Sequence, residues 1–117
     1  MQISVFKEFK FSSAHFLEIE GHKCSALHGH NYLLRIEVTG DVNSEGMVLD
    51  FDDIKKAVNP LIDQLDHTVL NDKIKNTTSE SLCIWFYEKL KKNIKGISKI
   101  ELRETGTCGA ILVTKNL

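Results

Sequence analysis

Cys24-Ser25-Ala26-Leu27-His28-Gly29-His30-Asn31-Tyr32 places a thiol ahead of a His-x-His pair, and that pair opens the clearest strand pattern in the chain. From His28 to Val38 the even positions hold His28, His30, Tyr32, Leu34, Ile36 and Val38. Leu33, Arg35, Glu37 and Thr39 fall between them and are mostly polar. Side chains alternate faces along a strand, so His28 and His30 share the face that turns inward. Two adjacent imidazoles at this spacing can chelate a metal, although a pair of hydrogen-bonded structural histidines has the same pattern. A third histidine favours the metal. Toward the N-terminus Ile3, Val5, Phe9, Phe11, Ser13 and His15 share one parity. If this first strand pairs with the second, it delivers His15 beside His28 and His30. Three neutral imidazoles form a common catalytic zinc set, with one position open for water or substrate. Cys24 as a fourth ligand would instead close the site and make it structural.

The chain of 117 residues, 42% hydrophobic and 26% charged, suits one globular domain over residues 1–117. A net charge of -1 gives no electrostatic case for nucleic acid or a membrane surface. No apolar run approaches a membrane span, and the opening MQISVFKEFKF lacks the features of a signal peptide. Three cysteines at irregular spacing do not form a disulfide framework. These features predict a reducing, cytoplasmic location.

Taken in order, residues 2–15 read as a strand, 16–27 as a loop, and 28–40 as a second strand. The segment 41–46 reads as a turn, and Met47 to Phe51 as a short extended piece. Asp52 or Asp53 can cap a helix with Ile54, Val58, Leu61, Ile62 and Leu65 on its buried stripe. Pro60 inside it should kink the helix or interrupt one hydrogen bond. A second helix begins near Asn76–Glu80. Thr77 with Glu80 has capping-box spacing, and Thr78 or Ser79 is a shifted alternative. Leu82, Trp85, Phe86 and Leu90 form its buried face, Cys83 is a small core residue, and Gly96 is placed as the C-cap. Strands at about 99–105 and 110–115 finish the chain, joined by a glycine-rich turn containing Cys108. The order β-β-α-α-β-β predicts an α+β fold, with two helices on one face of a four-stranded antiparallel sheet.

Ile100, Leu102 and Glu104 share one parity, and a carboxylate among core positions is costly unless it is paired or used, although a Glu at the strand end that reaches solvent has the same spacing. The pair Asp66-His67 could orient an imidazole, although read alone helix termination explains it better. Cys24 could serve as a base, since a nearby metal or imidazolium lowers a thiol pKa.

Several of these stretches together resemble the 6-pyruvoyl-tetrahydropterin synthase family, most closely its carboxy-forming branch, the 6-carboxytetrahydropterin synthases. They are Phe11-Ser-Ser-Ala-His15, Cys24-x-x-x-His28-Gly-His30-Asn31-Tyr32, Gly46-Met-Val-Leu-Asp50-Phe51, Leu65-Asp66-His67-x-x-Leu70-Asn71, Thr78-Ser-Glu80 and Glu104-Thr105. The resemblance implies the tunnelling fold, in which sheets of several subunits close a β-barrel, as a trimer or a hexamer. It implies zinc held by His15, His28 and His30, Cys24 as catalytic thiolate, and Asp66 and His67 as acid–base partners working on a neighbouring subunit's substrate. Glu104 would hold the N–H edge of a pterin, with Thr78 and Thr105 also contacting substrate. The implied substrate is 7,8-dihydroneopterin triphosphate, and the carboxy-forming branch feeds 7-deazaguanine nucleosides such as queuosine. The chain's start directly in strand one and its compact Cys24–His28 loop resemble that branch more than the longer animal-type enzymes. Asn76-Thr77-Thr78 departs from the family's Asn-Pro-Thr, and the Gly106–Gly109 turn is unusually glycine-rich.

Other readings fit less well. A cupin-type oxygenase needs a Glu sooner after its His-x-His than Glu37. A three-histidine hydratase has no use for Cys24, His67 or Glu104, and the motifs of GTP cyclohydrolase are absent. A non-catalytic zinc- or pterin-binding protein would not need Cys24, Asp66 and His67 together.

Overall fold

A computed structural model describes residues 1–22 and 25–114. The predicted order holds: β1 (Ile3–His15), β2 (His28–Gly40), α1 (Phe51–Leu65), α2 (Ser79–Leu90), β3 (Ile97–Arg103) and β4 (Gly109–Val113). The four strands form an antiparallel sheet in the order β1-β2-β3-β4. β1 buries Phe9 and Phe11, β2 buries Tyr32, Leu34, Ile36 and Val38, and β3 buries Ile100 and Leu102, while β4 only half-buries Ala110 and Leu112 on the same face. Both helices cover that face. Ile54, Val58 and Leu65 of α1, with Leu82, Cys83, Phe86 and Leu90 of α2, complete the core. Removing this apolar surface from water is the main force holding helices to sheet.

Several local expectations are corrected. Met47–Asp50 forms no strand, because Asp50 is already the N-cap of α1 and its carboxylate accepts the N–H of Asp52. Neither Asp52 nor Asp53 is the cap. Both lie in the first turn, where negative charge suits the helix N-terminus. As expected, Pro60 costs α1 one hydrogen bond, since it has no N–H to donate, and the helix continues past it to Leu65. Thr78 caps α2 by accepting the N–H of Ser81, while Thr77 is buried and donates its hydroxyl hydrogen to the Phe16 carbonyl. Trp85 is only partly buried, and Cys83 takes the place beside Leu82. α2 stops at Leu90. Gly96, at φ +83°, serves the turn into β3 rather than the helix end, and its carbonyl accepts the N–H of Thr39. β3 ends earlier than expected, so Glu104 lies just beyond it in the connecting turn; β4 spans Gly109–Val113, and the expected strand end at Lys115 lies outside the described residues.

That turn depends on Gly109. A Cβ there would overlap the Leu102 carbonyl oxygen and lie 2.8 Å from the Arg103 Cα, and backbone cannot step aside. Gly109→Ala is expected to cost about 2 kcal/mol or more, lowering Tm by roughly 5–10 °C. A thermal melt measures it, and an unchanged Tm would show that the β3–β4 turn relaxes freely.

Candidate metal centre

The register of β1 on β2 assembles the centre. His15 pairs directly with His28, and His30 lies opposite Ser13, one step along the same face. The three rings are 4.6 Å (His15–His28), 4.8 Å (His28–His30) and 5.1 Å (His15–His30) apart between centroids. Two rings are oriented by backbone carbonyls. His15 Nδ1 donates to Thr77 O at 2.9 Å, and His28 Nδ1 donates to Ala26 O at 2.8 Å. A neutral imidazole that donates through Nδ1 keeps a lone pair on Nε2. The Nε2 atoms of all three histidines are buried and form no hydrogen bond. Buried acceptors without donors are rare and costly, and converging ones are what a metal ion satisfies. The residues therefore fit the metal that the sequence suggests.

Glu104 joins them. Its Oε1 lies 3.1 Å from His30 Nε2 and 3.5 Å from His15 Nε2, and the four candidate ligand atoms all fall within 4.8 Å of one another. Its other oxygen, Oε2, accepts a hydrogen bond of 2.8 Å from the hydroxyl of Ser79, the first residue of α2. The strand parity of Glu104 pointed to this face. Ser79 carried no comparable signal, because only the docking of α2 across β3 brings it to Glu104. Tyr32 was also missed as a neighbour of the centre. It stacks on Phe11, packs edge-on to His30, and its buried hydroxyl has no hydrogen-bond partner. Burial first, and then the Glu104 charge, keep that phenol protonated.

Burial lowers the pKa of His15 most, the Thr77 carbonyl opposes it, and the His28 ring adds to the lowering. As pH falls, the unfolded chain takes up the proton before folded His15 does. The metal-free protein should therefore be more stable above the ordinary histidine pKa of 6.5 and lose stability as pH falls below it. Melts at about pH 7.5 and about pH 5.5 should show this, with a smaller difference for His15→Gln. Equal losses in both proteins would remove His15 as the source.

The remaining expected site residues lie elsewhere. Asp66 is the C-cap of α1, and its carboxylate accepts the backbone N–H of Ser12 at 2.8 Å and His67 Nδ1 at 3.0 Å. The Ser12 hydrogen bond chiefly, and the His67 contact less, hold the Asp66 carboxyl below the usual range. His67 has φ +58°, a left-handed conformation secured by its own N–H on Ser12 O. Its side chain is 82% exposed. This pair belongs to the β1 edge, where Ala14 also bridges Val69 in parallel, and not to the histidine cluster. The Thr78 hydroxyl caps α2, and the Thr105 hydroxyl accepts the N–H groups of Thr107 and Cys108 in the exposed turn. Cys24 lies outside the described residues. No helix among the described residues is long and apolar enough to cross a membrane.

Fold and site together define an α+β protein with a three-histidine centre at one end of an antiparallel sheet. Residues 4–115 match the 6-pyruvoyl tetrahydropterin synthase family. The chain is 38% identical to the 6-carboxy-5,6,7,8-tetrahydropterin synthase of Synechocystis sp., over 91% of this chain and 89% of that one. It is 34% identical to the dihydroneopterin monophosphate aldolase of Pyrococcus furiosus, covering 86% of each. The solved 6-pyruvoyl tetrahydropterin synthase of Caenorhabditis elegans superposes with a TM-score of 0.88 at 26% identity, over 98% of this chain and 97% of that one. The chain belongs to the 6-pyruvoyl tetrahydropterin synthase family, a family of enzymes.

Proposed function

We propose that this protein is a zinc enzyme that converts 7,8-dihydroneopterin triphosphate to 6-carboxy-5,6,7,8-tetrahydropterin, releasing acetaldehyde and triphosphate. The observation that carries this reading is the set of three buried, unpaired Nε2 atoms converging at one end of the sheet. Its likeness to the cyanobacterial synthase supports the carboxy-forming outcome. That product would serve the synthesis of 7-deazaguanine nucleosides such as queuosine, in the cytoplasm.

His15, His28 and His30 would hold the ion. Zinc bound there supplies Lewis acidity, which makes a coordinated hydroxyl more acidic and a coordinated carbonyl more electrophilic. The chain supplies the proton movements and the grip on substrate. Cys24, four residues before His28, is assigned to take and return protons on the substrate side chain. His67, held by the Asp66 carboxylate through Nδ1, keeps Nε2 as its second proton-carrying position. Its exposure suits work on a neighbouring subunit's substrate. The Glu104 carboxylate, acceptor-only when ionised, matches the N–H edge of a pterin. Thr78 accepts a backbone N–H as helix cap and retains a hydroxyl hydrogen that would serve substrate, and Thr105 would contact substrate from the turn.

Shared sites require an oligomer. β1 and β4 are the sheet edges, and Phe6, Ile111 and Val113 are exposed on the face away from the helices. The β4 edge, the part of β1 before Ser12 and these exposed apolar side chains favour closure by further copies into the trimeric or hexameric barrel of the tunnelling fold.

Purified protein incubated with 7,8-dihydroneopterin triphosphate should release acetaldehyde and triphosphate in equal amounts, as measured by mass analysis. A pyruvoyl product without acetaldehyde would reassign it to triphosphate elimination alone. The aldolase relative motivates one further assay. Cleavage of dihydroneopterin monophosphate, with no turnover of the triphosphate, would make this an aldolase. No turnover of either substrate by zinc-loaded protein would favour a binding protein.

A further inference from the structure

The four acceptor atoms at the centre pose an electrostatic problem that three histidines alone do not explain. With Nδ1 of His15 and His28 committed to carbonyls, their Nε2 atoms present lone pairs, and Glu104 Oε1 reaches the same cluster without a hydrogen bond. The His15 lone pair faces this carboxylate at 3.5 Å, and the two repel unless a cation lies between them. Four protein ligands normally make a closed zinc site, whereas catalysis needs an open position. Of the four, His15 is 1% exposed and fixed inside the sheet, while Glu104 is 27% exposed and sits in the turn after β3. Glu104 is the ligand able to leave.

We infer that Glu104 closes the metal centre as a fourth ligand when no substrate is bound, and moves off it to take the pterin N–H edge. Ser79 is the positioning residue. Its hydroxyl, on the first residue of α2, holds Oε2, so that rotation about this anchor carries Oε1 between the two partners. The exchange rests on the reading of Glu104 as pterin ligand. It leaves the site inert until the correct ring arrives.

The test uses Co2+ in place of zinc, read by its visible absorption and by competition with a chelator, without any turnover. Glu104→Gln should bind Co2+ at least about 10–100-fold more weakly, the loss typical of removing even an outer partner of a ligand. Ser79→Ala should weaken it by about tenfold, and Ser79→Thr should restore it. Neopterin, which carries the same N–H edge, should shift the cobalt bands of the wild-type protein and leave those of Glu104→Gln unchanged. Thermal melts establish that each variant is folded, and Ser79→Ala decides the matter if Glu104→Gln is not. Wild-type affinity in Glu104→Gln, or in Ser79→Ala, overturns the proposal, and so does a spectrum that neopterin leaves unchanged. A sulfur-to-cobalt charge-transfer band lost in Cys24→Ala would put the thiol in the fourth position and also overturn it. Failure to form the carboxy product would leave all these readouts intact, so the two readings fail separately.

Discussion

His30→Ala is expected to lose its bound zinc and its turnover together. The two remaining imidazoles and one half-exposed carboxylate make a weak site, and binding energy falls with ligand count. Turnover should drop by at least about 10²–10³-fold, the scale of removing one electrostatic stabiliser from a transition state. The fold should survive, because His30 is only partly buried and the hydrophobic core begins at the next inward position, Tyr32. Metal analysis after dialysis, with a thermal melt, separates loss of the ion from loss of structure. Cys24→Ala is the companion measurement. It should keep its zinc and lose turnover, because the thiol is assigned to proton transfer. A His30→Ala protein with one zinc per chain would refute the three-histidine centre, and a Cys24→Ala protein without zinc would make the thiol a ligand.

Mixing two inactive proteins should restore activity. Cys24→Ala and His67→Ala are each expected to fall by about 10²–10⁴-fold, the usual contribution of a positioned acid or base. If His67 of one subunit serves the substrate held by its neighbour, a mixed ring contains sites where both groups are intact. Random assembly of equal amounts in a closed ring makes about a quarter of the sites complete, so activity should rise toward that fraction of wild type. The subunits must be unfolded and reassembled together. Proven mixing without recovery would place both groups on one substrate within one chain. The location of Asp66-His67 motivates this experiment: the pair is fixed to the β1 edge by Ser12 and is not among the residues converging on the histidine centre.

Strand periodicity was the most legible signal in the sequence. Because side chains alternate strictly, the parity of His15, His28 and His30 with Phe11, Tyr32 and Leu34 placed three imidazoles on the core face before any pairing was known. The stripe of α1 was equally clear, since 3.6-residue spacing repeats over four turns. Helix ends were less legible. Asp50, Asp52 and Asp53 all have capping chemistry, and only the backbone path out of the preceding turn selects Asp50. Gly96 suited a C-cap by type, yet α2 stops at Leu90 and the glycine is used for the β3 approach.

The sequence by itself determined the β-β-α-α-β-β order, the inward parity of the three histidines and Glu104, and the resemblance carried by the motif set. Periodicity and local chemistry are properties of neighbouring residues, so they survive without a third dimension. Tertiary structure alone decided that His15 meets His28 directly across the strands and that Thr77 and Ala26 carbonyls fix their tautomers. It also decided that Ser79 holds Glu104 among the histidines and that Asp66-His67 faces outward at a sheet edge. Each of these depends on strand register or helix docking between residues far apart in the chain, which the packing of the core as a whole selects.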